Sequence, residues 1–246
     1  MENSSNIVKY EYGQIAEKIY VLNILKCFGC IGVVFIHVNF PGLFGSVVER
    51  LSRFAVPVFF MISGFFAFDK NELIIKRRLK KILKILFVGS VLYFIQNVFS
   101  YAFRGVLNEF FIHFFQLKIL FMAFVFCNWL ASVLWYLIAM AETYALWYFV
   151  VKHNKENKFL SAIPFLFSLM IILNLICDSL NISWVFHTNF MTEAMPYFLL
   201  GYLIHKHKFI LVKYHMYYYF LLFFFWGGLP FCQKLLKHLL ISRVLE

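Results

Sequence analysis

Charge is scarce in this chain. Asp, Glu, Lys and Arg make up only 14% of its 246 residues, whereas 63% are hydrophobic, 34 are Phe, and the mean hydropathy is +0.78. That balance excludes a soluble domain, which needs far more polar surface to face water. Cysteine occurs five times, at positions 27, 30, 127, 177 and 232, and the odd number argues against a disulfide framework. Cys27 and Cys30 form a CxxC within an apolar helix rather than at a helix start after a strand. Close approach of a neighbouring helix at Cys27-Phe28-Gly29-Cys30 is therefore favoured over redox chemistry. The chain also lacks a Gly-rich phosphate loop, a GxSxG elbow and a dinucleotide fingerprint. No internal repeat points to a duplicated transporter. No small-residue cleavage site follows the first apolar stretch, so that stretch reads as a retained span.

What is present is a series of long apolar runs separated by short basic stretches. They contain helix formers and no period-two alternation, which predicts an all-α, polytopic transmembrane helical bundle rather than a β-barrel. We expect a single membrane domain over residues 1–246 with about six to eight spans. Twenty-three Lys and Arg against twelve Asp and Glu give a formal charge of +11. These cations sit between apolar runs, so they read as an orientation signal in a lipid bilayer and not as a nucleic-acid surface.

The expected spans are residues 21–40, 54–68, 82–102, 133–151, 159–177 and 194–204 with its flanks. Basic runs at 76–84, 152–158 and 205–208 mark cytoplasmic loops, leaving the N-terminus cytoplasmic and 41–50 outside. The stretch 103–132 is apolar but broken by Arg104, Glu109, His113, Gln116 and Lys118, and reads as interfacial or re-entrant. A last apolar run, 216–232, is interrupted by Trp226-Gly227-Gly228-Leu229-Pro230. An outward crossing there would place Lys234, Lys237, His238 and Arg243 outside. Either that run is not a full crossing or the chain is incomplete.

The first span carries two ionisable groups, Lys26 and His37. Eleven helical steps amount to about 1100°, so both fall on one face about 16 Å apart. Ionisable groups are expensive in hydrocarbon, which makes the pair a functional signal. The alternative is a snorkelling Lys26 and a His37 that simply ends the span. Downstream comes Arg53-Phe54-Ala55-Val56-Pro57-Val58-Phe59-Phe60-Met61-Ile62-Ser63-Gly64.

A basic residue, ten intervening residues and His, followed by that second string, resembles acyltransferase family 3, the multi-span membrane enzymes that O-acylate extracytoplasmic carbohydrates. Leu134-Trp135-Tyr136-Leu137 is similar to the family's aromatic start to a middle span. Pro196-Tyr197-Phe198-Leu199-Leu200-Gly201-Tyr202-Leu203 is similar to its later Phe-Leu-Gly-Tyr helix. The resemblance covers residues 23–208. It departs from the family at Lys26, where Arg is usual, and a point charge does not replace a bidentate fork freely. Members commonly have about ten spans, so this chain reads as a shortened one.

The resemblance implies a transferase that moves an acyl group, acetyl in the first instance, from acyl-CoA to a carbohydrate or glycolipid hydroxyl at a bacterial plasma membrane. It implies no bound cofactor. Such transfer needs a base for the hydroxyl proton, a role that suits imidazole at neutral pH, and His37 is the candidate. Arg77, Arg78, Lys80 and Lys81 would hold the phosphates of acyl-CoA, or serve orientation alone. Arg53 would hold the acceptor sugar or the oxyanion of the tetrahedral intermediate, or else contact lipid phosphate. Glu142, the carboxylate near the middle of a span, would touch the site or form a structural pair with Lys26 or His37. Ser63 ranks below these as a supporting donor.

His113, His187, His205 and His207 read as loop or interfacial residues, and no Cys or carboxylate is spaced to complete a zinc site with them. Two other readings stay open: a transport or flippase component, whose pathway Lys26, His37 and Glu142 would line, and an inactive, shortened assembly partner.

Overall fold

The computed structural model describes residues 20, 22–38, 40–114, 116, 132–180 and 189–207, and every regular element among them is helical. In chain order these are α1 (Leu22–His37), α2 (Gly42–Ser52), α3 (Ala55–Ala67), α4 (Glu72–Phe103), α5 (Leu107–Phe114), α6 (Trp135–Lys152), α7 (Glu156–Leu160), α8 (Ile163–Ser179) and α9 (Met195–Lys206). A 3₁₀ turn, Ser132–Leu134, leads into α6, and a π-helical turn, Phe190–Ala194, leads into α9. Three stretches, Gly42–Ala67, Glu72–Phe103 and Glu156–Cys177, are long and apolar enough to cross a bilayer. The chain is an all-α membrane bundle, as its composition and periodicity predict.

Two expectations about loops need correction. The basic run at 76–84 is not a loop but the opening turns of α4. Asn71 caps that helix, its side chain accepting from the Ile74 N–H at 3.1 Å, and Glu72 in the first turn suits the positive helix end. Lys and Arg are good helix formers, and no proline interrupts the segment, so the helix continues for 32 residues, about 48 Å. Residues 42–52, most of the expected outer loop, form α2. At its start Gly45 fits directly against the Phe40 carbonyl oxygen, where a Cβ would come within 1.8 Å. That contact is open only to glycine.

Elsewhere the helices fall close to the expected spans. Pro57 occupies the first turn of α3, where its missing N–H leaves no bond unmade. The span expected at 159–177 is divided by a turn at Ser161 and Ala162, after which Pro164 opens α8. Within the stretch 103–132, the described residues form the short α5 after a turn at Arg104 and Gly105. Lys118, His187 and Lys208, and the C-terminal run with its Trp226 to Pro230 interruption, lie outside the described residues, as do Cys127 and Cys232.

Packing divides the chain into two units, one containing the described residues up to Phe59 and one spanning Phe60–Lys206, with the boundary inside α3. In the first, the small residues of α1 admit its neighbours. A Cβ on Gly29 would meet the Phe59 ring at 3.0 Å, and one on Gly32 would meet the Ala55 Cβ at 3.1 Å. Cys27 and Cys30 beside them are exposed free thiols. In the second unit, Phe60, Met195, Phe198, Leu199 and Trp147 are fully enclosed. Trp147 packs edge-on against Phe198 and Tyr202, at centroid separations of 5.4 and 4.9 Å. There α3 crosses α9 at Gly64 and Gly201.

Candidate functional site

Lys26 and His37 do lie on one uninterrupted helix. All eleven steps between them belong to α1, and the backbone bond from Val38 N–H to Val34 O carries the helical turn just past His37. Lys26 is half-buried and has a partner in the structure, while His37 is exposed in the last turn. An exposed imidazole at a helix end is open to proton exchange with a substrate, which a packed core histidine is not.

Arg53 occupies the turn between α2 and α3, and its guanidinium donates to Glu49 Oε1 at 2.8 Å, one helical turn back. Sequence reasoning missed Glu49 as its partner. The signal was the four-residue spacing of opposite charges, which matters only on a helix, and this segment reads as a loop until α2 is known. Both side chains are about half exposed, 61% and 47%, so the pair contributes at most about 1 kcal/mol to stability. Its effect is on charge, because the guanidinium already has an anion beside it.

The second constellation is the C-terminal end of α3, where side chains from three other helices meet its backbone. The last carbonyls of a helix have no partner within it. Arg78 of α4 donates from Nη1 to the Phe66 oxygen at 2.8 Å. His205 of α9 donates from Nδ1 to the Phe65 oxygen at 2.6 Å, the carbonyl fixing that nitrogen as the protonated one. Tyr144 of α6 donates to the Ser63 oxygen at 3.3 Å, one turn further back. Arg78, one of the three donors, carries a positive charge, and the end it meets is the negative end of the helix dipole.

This arrangement separates residues that the sequence groups together. Arg77, Lys80 and Lys81 are exposed, as a solvent-facing phosphate cradle requires, but Arg78 turns inward and is half-buried. His205 does not belong to a solvated loop. It ends α9, stacked on Phe65 at 4.1 Å and tilted against Phe68 at 4.8 Å. Sequence reasoning failed there because a basic His-Lys-His string looks like a loop, whereas the aromatic pair that receives it lies 137 to 140 positions earlier.

Tyr136 and Tyr144, which carried no role in the sequence reading, both interact with Ser63, and Tyr144 also interacts with Arg78. Their signal is a phenol in an otherwise apolar helix, since a buried hydroxyl needs a partner. Ser63 therefore belongs to a four-residue polar cluster with Tyr136, Tyr144 and Arg78. Glu142 lies mid-way along α6, half-buried and with a partner, in the unit that holds this cluster. Among the described residues no group of His, Cys, Asp and Glu is arranged to hold a metal ion.

A family model described as an acyltransferase domain matches residues 19–238, most of the chain. The matched region contains Lys26, His37, Arg53, the basic turns of α4, Glu142 and the α9 crossing. No curated protein and no solved structure matches the chain.

Proposed function

This chain belongs to the acyltransferase domain family, and from that premise we propose that it moves an acyl group, acetyl in the first instance, from acyl-CoA to a hydroxyl of a cell-surface or lipid-linked carbohydrate. His37 takes the hydroxyl proton as the oxygen attacks the thioester carbonyl. The tetrahedral intermediate then expels the CoA thiolate, which receives that proton from the imidazolium, leaving an ester and free CoA. The observation that carries this reading is the placement of His37, exposed at the end of the unbroken helix that also bears Lys26. A general base must reach its proton, and this one is accessible.

Arg53 is assigned to the oxyanion or the acceptor, and the Glu49 carboxylate beside it orients the guanidinium. The phosphates of the donor are assigned to Arg77, Lys80 and Lys81 on the open face of α4, with Arg78 at its inner edge. In this reading the basic turns face the cytoplasm, and the carbohydrate meets His37 on the opposite side of the plasma membrane.

The test is mass spectrometry of surface glycans from cells carrying the wild-type protein, no protein, or His37→Gln at matched abundance. An acyl substituent present only with the wild-type chain supports the reading. An acylated glycan undiminished in His37→Gln cells removes His37 as the base.

A further inference from the structure

Arg78 differs from its basic neighbours in being held. One N–H engages the Phe66 carbonyl at 2.8 Å, and the guanidinium also interacts with the Tyr144 hydroxyl. A guanidinium has five N–H donors in a rigid fork, so these two engagements leave donors over. Tyr144 suits the task. It is 4% exposed, its ring packs edge-on against Phe198 at 5.4 Å, and its own O–H is directed at the Ser63 carbonyl, which leaves its oxygen lone pairs for a donor such as Arg78. Arg77, one residue earlier, is exposed, and among the described residues no hydrogen bond or ion pair holds it.

We propose that Tyr144 is a positioning residue for the donor site: it holds the Arg78 guanidinium against the end of α3, so that the remaining N–H groups meet a phosphate of coenzyme A already oriented. The inference rests on the reading above that the basic turns of α4 bind the donor. A long cation that is free in solution loses conformational entropy when it grips an anion, and one already fastened loses less. The hydroxyl of Tyr144 thus acts on binding through Arg78, without touching the ligand.

The test measures binding of coenzyme A itself, which carries the phosphates whatever the acyl group, to the full chain in lipid nanodiscs by equilibrium dialysis. Tyr144→Phe removes one oxygen and keeps the ring against Phe198. It is expected to weaken binding about tenfold, and Arg78→Ala at least as much. In the Arg78→Ala background, Tyr144→Phe should add less than about twofold, because the group it positions is gone. Thermal unfolding of Tyr144→Phe in the same nanodiscs reports on folding separately.

Weaker binding in Arg78→Ala with unchanged binding in Tyr144→Phe overturns the inference and leaves the donor reading standing. Equal losses from Tyr144→Phe with and without Arg78 also overturn it, since the tyrosine then acts independently. Absence of coenzyme A binding by the wild-type chain removes both.

Discussion

Gly64 and Gly201 each lie against the other's helix backbone: a Cβ on Gly64 would come within 1.8 Å of the Phe198 carbonyl oxygen, and one on Gly201 within 1.9 Å of the Met61 carbonyl oxygen. Both obstacles are backbone atoms, so neither can be relieved by a rotamer change. Gly64 ends one of the strings that carry the family resemblance and Gly201 lies within another, and their role is to let α3 and α9 cross at backbone contact.

Either Gly64→Ala or Gly201→Ala is therefore expected to destabilise the Phe60–Lys206 unit by at least about 1 to 3 kcal/mol, the usual range for an overfilled contact. Gly89→Ala is the control, because its nearest obstacle is the flexible Leu134 side chain at 3.2 Å. Thermal unfolding in detergent or nanodiscs should rank Gly89→Ala near wild type and the other two well below it. Equal stability of all three would mean that the crossing is looser than described.

His37→Ala should leave insertion and folding intact, because an exposed side chain at a helix end contributes little packing. Acyl transfer should fall by a factor of about 10² to 10⁴, the share of a general base, and His37→Gln should be nearly as inactive. Lys26→Arg is expected to be tolerated and Lys26→Ala not. The measurement is acylation of the glycan by membranes carrying each variant at matched abundance.

Arg77 and Arg78 should separate in a comparison of affinity with stability. Arg77→Ala removes an exposed cation and is expected to weaken use of the donor with unfolding unchanged, each lost charge-assisted contact amounting to about 1.5 to 3 kcal/mol. Arg78→Ala also strips the Phe66 carbonyl of its donor, so it should lower the unfolding temperature as well. Identical behaviour of the two would place both on the open face.

His205→Phe keeps an aromatic ring between Phe65 and Phe68 but leaves the Phe65 carbonyl without its bond. The expected loss is about 1 kcal/mol, the low end of the penalty for an unsatisfied acceptor because this one is only partly buried, and His205→Ala should lose more because the stack goes too. Unfolding measurements on both variants decide whether the bond or the stack matters.

The orientation assigned to the basic segments is checked by labelling an introduced Cys at Lys155 with a membrane-impermeant reagent. Reaction only after the membrane is opened is expected for intact cells. Reaction from outside would reverse the orientation and the proposed side of His37.

The parts of this architecture that follow from hydrophobic patterning are legible in the sequence: helical class, most helix positions, and the single helix that carries Lys26 and His37. Two kinds of feature are not. Residues 76–84 and 41–50 read as loops because polarity suggests a break in structure, whereas Lys, Arg and Glu are compatible with a continuing helix. The cluster at the end of α3 was invisible because its partners are backbone carbonyls. No residue type in the string Ser63-Gly64-Phe65-Phe66 announces that Tyr144, His205 and Arg78 will each bond to it, and those donors come from positions 12 to 140 residues away.

The length of α4 has a mechanical consequence. At about 48 Å it exceeds a hydrocarbon core of about 30 Å by roughly a dozen residues, close to the extent of its basic opening turns. Because no proline interrupts the rod, the height of Arg77, Lys80 and Lys81 above the headgroups and the immersion of the apolar half are one variable. A thicker bilayer draws the cations toward the lipid phosphates, and a thinner one lifts them away or tilts the whole rod. For a helix of this length crossing with its basic turns outside the hydrocarbon, bilayer thickness would set where these side chains stand, and hydrophobic mismatch would be a property of the charged end of the helix as much as of its greasy one.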